Sequence, residues 1–588
     1  MLDVVIKGGT VVDGTGALPF VADIGVRDGR IVEVGTVTED AARTIDAAGI
    51  LVTPGWVDVH THYDGQVTWD DALESSAAHG VTTLVMGNCG VGFAPVRPAD
   101  TDALIDLMEG VEDIPGSALS VGMPWGTWET FAEYLDVLDA RTYAVDIAAQ
   151  VAHGPVRFYV MGERGAANED ATAEDLTEMA RIVQEAMEAG AVGFSTSRTI
   201  GHRAKSGRPV PGTFAAEEEV VALAEALQRA GHGVFEAIMA GTIGKFESLG
   251  GERCTLLDEV PLLVAASRAS GRPVTFTVAQ LFEDPDHWRH VLDAAAEANE
   301  QGANLRPQII PRSVTIMTNL DTYHLFMERP TYRKIADLPL AERVAEMRRP
   351  EIREAILAET HPTDSPTDFS AAVSRLFTPA LPVTFPLREP IDYEPSMEHS
   401  VWAEAVGLGK DPVEHMYDLL LEDDGKAFFA LLGSNFAGGD LEACREMLLA
   451  PHTVTGLGDA GAHVSLISDC SASTFHLTHW ARDRTAGETL PVELLVHKLS
   501  GANAELYGFD DRGTIAPGKR ADLNVIDLER LKIAIPEVLH DLPTGAARIS
   551  QGAEGYVATL VNGVVTREHD RDTGARPGRL ARGGTHTA

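Results

Sequence analysis

Apolar residues follow two patterns along this chain. At the start, β-branched runs (Val4-Val5-Ile6, Val11-Val12, Ile24-Gly25-Val26, Ile31-Val32-Glu33-Val34) are punctuated by Gly9, Gly14-Thr15-Gly16 and Asp28-Gly29. The same texture returns near the end, in Ala521-Asp522-Leu523-Asn524-Val525-Ile526-Asp527 and Val557-Ala558-Thr559-Leu560-Val561. Such runs between turn residues predict short strands, and hence a small β-sandwich domain built from both ends, residues 1–55 and 505–570. The middle instead alternates strand-like apolar runs with helical stretches. Strands are predicted at 56–62, 81–88, 146–152, 191–196, 233–238, 273–278, 305–310 and 453–458, with helices such as Thr172–Glu188, capped by Thr172 and Asp175, and Ala215–Ala230 between them. Eight such units predict an α/β fold, a (β/α)8 TIM-like barrel over 56–504. About 312–450 is too long for a simple connection and reads as an insertion between strands seven and eight. Residues 571–588, rich in Gly and Arg, read as a mobile tail.

Charge narrows the partners. With 47 Lys+Arg against 88 Asp+Glu the formal charge is −41, which repels phosphate backbones and anionic lipid, so neither nucleic acid nor a membrane is expected as a partner. No run of about 18 apolar residues is present, and Met1-Leu2-Asp3-Val4 opens on a strand rather than on a basic and then apolar leader. The four cysteines are scattered and form no CxxC pair. A reduced, cytoplasmic setting is the expectation.

Chemistry concentrates at the predicted strand ends. In Val57-Asp58-Val59-His60-Thr61-His62 the two histidines share one face of a strand, and two neutral imidazoles at the C-terminal end of a barrel strand are a divalent-metal motif. The alternative is two histidines lining a polar barrel mouth. Asp459, in Gly456-Leu457-Gly458-Asp459-Ala460-Gly461-Ala462-His463, ends strand eight, beside strand one once the barrel closes. It is read as a metal ligand and as the general base and acid, against a turn or cap role. Cys89, in Met86-Gly87-Asn88-Cys89-Gly90, ends strand two; its soft sulfur favours zinc, against a plain buried thiol in a tight turn. Weaker candidates for substrate contact are Arg198 and His202 on the basic loop after strand four, His153 at the end of strand three, and Ser471 after strand eight. For His153 a hydrogen-bonded structural role is the first reading and substrate orientation the second. The phosphate-loop pattern GxxxxGK[ST] does not occur.

The His60-Thr61-His62-Tyr63-Asp64, Gly87-Asn88-Cys89-Gly90 and Asp459 set, with Ala152-His153-Gly154, Gly193-Phe194-Ser195-Thr196-Ser197 and Pro517-Gly518-Lys519-Arg520-Ala521-Asp522, resembles the amidohydrolase superfamily, in particular its D-aminoacylase (N-acyl-D-amino-acid deacylase) branch. The resemblance spans nearly the whole chain. It implies a zinc-dependent hydrolase of an amide bond, with the insertion shaping the pocket and Cys89 standing where hydantoinase-type relatives carry a carboxylated lysine. It also implies histidines at the ends of strands five and six, a substrate-binding Lys on strand six and an Arg downstream of the strand-eight Asp. This chain departs there. Strand five reads Gly233-Val234-Phe235-Glu236-Ala237-Ile238, strand six has Val278 and Gln280 at the two positions, and no Arg occurs in 467–475.

These departures predict one zinc ion per chain rather than two, held by His60, His62, Cys89 and Asp459. Glu236 is either a replacement ligand or the partner of a nearby Arg. The expected activity is hydrolysis of a non-peptide amide in a small molecule, with the substrate not necessarily a free N-acyl-D-amino acid. The alternatives are the same metal chemistry on an ester, lactone or cyclic amide, or an inactive scaffold of the same fold. A homo-oligomer stays open.

Overall fold

A computed structural model describes residues 1–245, 247–360 and 369–584. The eight apolar runs of the middle form one parallel sheet whose strands, in chain order, are Trp56–Thr61, Val81–Met86, Asp146–Ala152, Gly193–Ser197, Val234–Ile238, Val274–Thr277, Leu305–Ile309 and Val454–Thr455. Strand two onward is buried on both faces because helices cover the outside and side chains fill the inside. Strand eight is shorter than the sequence suggests. Leu457 and Asp459 adopt left-handed backbone, φ 61° and 45°, which ends the regular ladder. Even so, the chain beyond it closes the barrel: His62 N–H donates to Ala460 O at 2.9 Å and Asp459 N–H to His60 O at 3.2 Å.

Helices start and stop where local chemistry directs. Thr172 caps Ala173–Ala189 in a reciprocal pair with Asp175, and Gly190, φ 115°, terminates it. The second expected helix runs Glu217–Ala230. Between strands seven and eight lies the expected insertion. It contains an antiparallel sheet of Thr315–Thr318, Phe429–Leu432 and Thr384–Pro386 and helices including Leu340–Met347 and Pro350–Ala358, around an apolar core of its own.

The two ends of the chain share a nine-stranded sheet in which Leu51–Pro54 pairs with Leu2–Val11 on one side and Leu523–Ile526 on the other. Its core mixes Val4, Ile6, Ile24 and Val52 with Leu523, Val525 and Leu560. An excursion from this sheet, carrying Leu531, Ile533 and Ile549, packs on the barrel, and Ile549 N–H donates to Val464 O at 2.6 Å. Residues 571–584 of the tail have places in the fold: Arg571–Asp572 adds a strand, Gly578 pairs with Tyr143 and Leu580 with Ile147 under the barrel, and Leu580 is buried. The Gly578 backbone lies against Val145, where a side chain would not fit. Residues 585–588 lie outside the described residues. Among the described residues no helix is long and apolar enough to cross a membrane.

Candidate metal centre

His60, His62 and Cys89 come together at the C-terminal end of the barrel, their donor atoms all within 4.8 Å of one another. Cys89 Sγ is 3.3 Å from His60 Nε2. Asp459 Oδ1 lies 3.3 Å from His60 Nε2 and 3.7 Å from His62 Nε2. The two histidines and the cysteine are buried, while the Asp459 side chain keeps 16% of its surface. The backbone is bent to make this convergence. Cys89 sits in left-handed conformation, φ 56°, between Gly87 at 84° and Gly90 at 69°. A Cβ on Gly87 would meet Gln150 O at 2.3 Å, so only glycine lets the turn reach the strand-three backbone. Asn88 fixes the turn by donating to Thr61 O and Val85 O, both at 3.1 Å, while its own oxygen accepts from Gln150 Nε2 at 2.8 Å. Left-handed Cys89 and Asp459 each cost about 1–2 kcal/mol, a local strain of the kind found at functional sites.

The donors suit a cation. Neither ring nitrogen of His62 has a hydrogen-bond partner, nor do buried Oε1 atoms of Glu112 and Glu236. Burial pushes His60 down to about 4 and His62 well below its ordinary value, so both rings are neutral donors. Burial pushes the carboxyls the other way. Asp459 rises to about 8, helped by Asp469 and Asp58, and Glu236 rises to about 8 with Asp459 adding to it. The Cys89 thiol is driven up by burial and then by Glu112, Glu236, Asp459 and Asp64. So many unpaired acids around two neutral imidazoles and a thiol form an environment that one divalent ion would neutralise.

Glu236 does not pair with an arginine. Its Oε2 accepts the Cys89 backbone N–H at 3.0 Å, so it supports the cysteine turn from strand five. His202 has its Nδ1 2.9 Å from Ser197 Oγ, and burial followed by His463 and His60 pushes it down to about 3. Three residues named for substrate contact have partners within the protein. Arg198 is spent on Glu259, Nε to Oε2 at 2.7 Å and Nη2 to Oε1 at 3.2 Å, and on Ala215 O at 2.7 Å. His153 lies between Glu219 Oε1 and Thr196 Oγ1, each at 2.8 Å. Ser471 is buried, its single hydroxyl proton within reach of Gln551 Oε1 at 2.7 Å and Ser468 O at 3.0 Å, and its oxygen accepts from Arg312. Gln280, in the place of the expected lysine, is tied to the insertion through Asn435 and Ala437, and its Nε2 donates to Pro285 O beyond strand six.

Two residues at the centre escaped the sequence reading. Gln308 on strand seven places Oε1 2.7 Å from His60 Nδ1. Glu112, ending the helix Thr101–Glu112, places Oε1 3.4 Å from His62 Nδ1 and Oε2 3.6 Å from His463 Nε2. A signal for Glu112 existed: it stands four residues after Met108, on the apolar stripe of Leu104, Leu107 and Val111.

A family model described as amidohydrolase family matches residues 43–567. An uncharacterised protein of Mycobacterium tuberculosis is 27% identical over 558 residues, 89% of this chain and 84% of its own. D-aminoacylase of Alcaligenes xylosoxydans xylosoxydans is 38% identical over 195 residues, 33% of this chain and 37% of its own. The structure of N-acyl-D-glutamate deacylase from Bordetella bronchiseptica, complexed with zinc and a phosphonate inhibitor, superposes with a TM-score of 0.61 at 22% identity, covering 99% of each chain; this likeness is one of fold. The chain therefore belongs to the amidohydrolase family and is a hydrolase of carbon–nitrogen bonds other than peptide bonds.

Proposed function

We propose that this chain is a deacylase-like hydrolase that cleaves the amide of a small molecule with the help of one divalent ion, zinc by preference, held by His60, His62, Cys89 and Asp459. The observation that carries the reading is the convergence of those four side chains on one point at the barrel mouth. When bound, the ion supplies Lewis acidity toward a water and an amide carbonyl. Asp459, the one member of the four with a partly open side chain, takes the proton of the attacking water and returns it to the leaving nitrogen. Glu236 keeps the Cys89 turn in place through the backbone N–H.

A second reading concerns the acyl partner. Arg198 and Gln280 are both committed to the protein itself, which favours a substrate without a free carboxylate at that point, a neutral amide, cyclic amide or lactone. An inactive scaffold fits poorly, since unpaired buried acids and imidazoles are costly to keep without a ligand. The test combines metal analysis with one variant. The wild type is expected to hold about one zinc per chain and His60→Ala/His62→Ala none. Asp459→Asn is expected to lower kcat about 10²–10⁴-fold on any amide turned over. Unchanged turnover in Asp459→Asn would overturn the proton role.

A further inference from the structure

Each metal-site histidine has an inner and an outer nitrogen. The inner Nε2 atoms of His60 and His62 face the same carboxylate oxygen of Asp459, at 3.3 and 3.7 Å. The outer Nδ1 atoms face polar side chains from elsewhere: Gln308 Oε1 at 2.7 Å from His60 and Glu112 Oε1 at 3.4 Å from His62. The Gln308 amide oxygen accepts from His60 Nδ1, so that ring carries its proton there and leaves the Nε2 lone pair free, while Glu112 Oε1 is the polar atom that faces His62 Nδ1 without a hydrogen bond between them.

Glu112 does more than face one ring. Its backbone carbonyl accepts the N–H of His463, and its second carboxylate oxygen faces His463 Nε2 at 3.6 Å. The adjoining Asp113, in left-handed conformation, accepts the Ser465 N–H at 3.2 Å and the Tyr323 hydroxyl at 2.9 Å. The loop that carries Asp459 is thus fastened to the end of this helix, and Glu112 is its contact with His62. Packing gives no reason for an acid there. The side chain is 1% exposed on an otherwise apolar helix face, and its Oε1 has no hydrogen-bond partner.

We propose that Glu112 is a positioning residue: it holds His62 in the tautomer and tilt that bring Nε2 to the ligand point and ties the Asp459 loop to that ring, as Gln308 does for His60. The proposal rests on His60 and His62 being metal ligands. Carboxylates or carbonyls behind metal-bound histidines orient them and raise their basicity, and removing one costs about 10–100-fold in metal affinity.

Glu112→Met separates positioning from packing, because replacing a buried unpaired acid by an apolar side chain of similar size is neutral or favourable for folding. Zinc affinity of the chelator-stripped full chain is measured by competition with a chromophoric chelator, and the ligand field by the visible spectrum of the cobalt-loaded protein. Glu112→Met is expected to melt at or above the wild-type temperature, yet bind zinc about 10–100-fold more weakly with an altered cobalt spectrum. Glu112→Gln, whose carbonyl keeps an acceptor facing Nδ1, is expected to recover most of that affinity. Wild-type zinc affinity and cobalt spectrum in Glu112→Met overturn the proposal while leaving His60 and His62 as ligands. A wild type that binds no zinc overturns the ligand reading itself, and the proposal with it.

Discussion

Replacing Arg198 by Met asks whether the basic loop after strand four serves the substrate or the fold. The guanidinium is 5% exposed, forms a two-pronged pair with Glu259 at 2.7 and 3.2 Å, and donates to Ala215 O at 2.7 Å. Without it, Glu259, itself buried, keeps only Cys254 Sγ at 3.6 Å and Arg253 Nη2 at 3.7 Å. Breaking a buried ion pair from one side costs about 3–5 kcal/mol, and the proximity of Arg253 points to the lower end, about 3 kcal/mol. With an unfolding entropy of about 2.1 cal/mol/K per residue, a barrel of about 450 residues shifts by about 1 °C per kcal/mol, so its melting midpoint should fall by roughly 3 °C. Scanning calorimetry measures the shift, and a double variant, Arg198→Met/Glu259→Met, is expected to regain most of it because no charge is left stranded. KM for an amide substrate, measured on the folded enzyme, should stay within about twofold of wild type. A normal melting point with KM raised tenfold would refute the structural assignment and return Arg198 to the substrate.

Other perturbations probe the remaining features. Dialysis against a strong chelator should abolish activity, and one molar equivalent of zinc should restore it; restoration that needs two equivalents would mean a dinuclear centre. The Glu219 carboxyl is raised by burial, but His153 and Arg157 outweigh this and hold it at about 2. Its stabilising charge is therefore complete above about pH 4.5 and lost as pH falls toward 2. Glu219→Gln should flatten the fall in melting temperature between pH 5 and pH 3, and an unchanged slope would remove Glu219 from the acid response. At Gly578 a Cβ would lie 2.2 Å from Val145 O, so Gly578→Ala should cost about 1–3 kcal/mol, seen as a lower urea midpoint. A neutral result would mean that the tail contributes nothing to the barrel.

What could be read from the sequence was whatever is local. Eight apolar runs announced eight strands, because a parallel strand covered on both faces needs continuous apolar residues. His60 and His62 could be placed on one face from their spacing alone, and Asp459 followed from barrel closure, which sets strand eight beside strand one. Partners distant in sequence could not be read. Nothing near Arg198, His153 or Ser471 reveals Glu259, Glu219 or Gln551, so three satisfied side chains resembled three available ones. Gln308 carries no motif, and Glu112 was one acid among 88 Asp+Glu. Strand eight came out short because the left-handed turns at Leu457 and Asp459 are a tertiary requirement rather than a local preference.

The pairing of Leu51–Pro54 with Leu523–Ile526, and of Tyr143 and Ile147 with Gly578 and Leu580, sets an order on the molecule's making. A ribosome delivers the N-terminal strands first, and domains ordinarily fold as they emerge. Here the first strands wait with one edge open through the synthesis of the entire barrel, until residues 523–526 arrive to cover it. The underside of the barrel waits longer still, for residues 578–580. Unpaired strand edges recruit other chains, so the nascent protein spends most of its translation time in its most aggregation-prone form. Slow or interrupted translation, rather than heat, is the condition under which this protein is most exposed to loss, and chaperone dependence during expression is the trait by which that vulnerability would show.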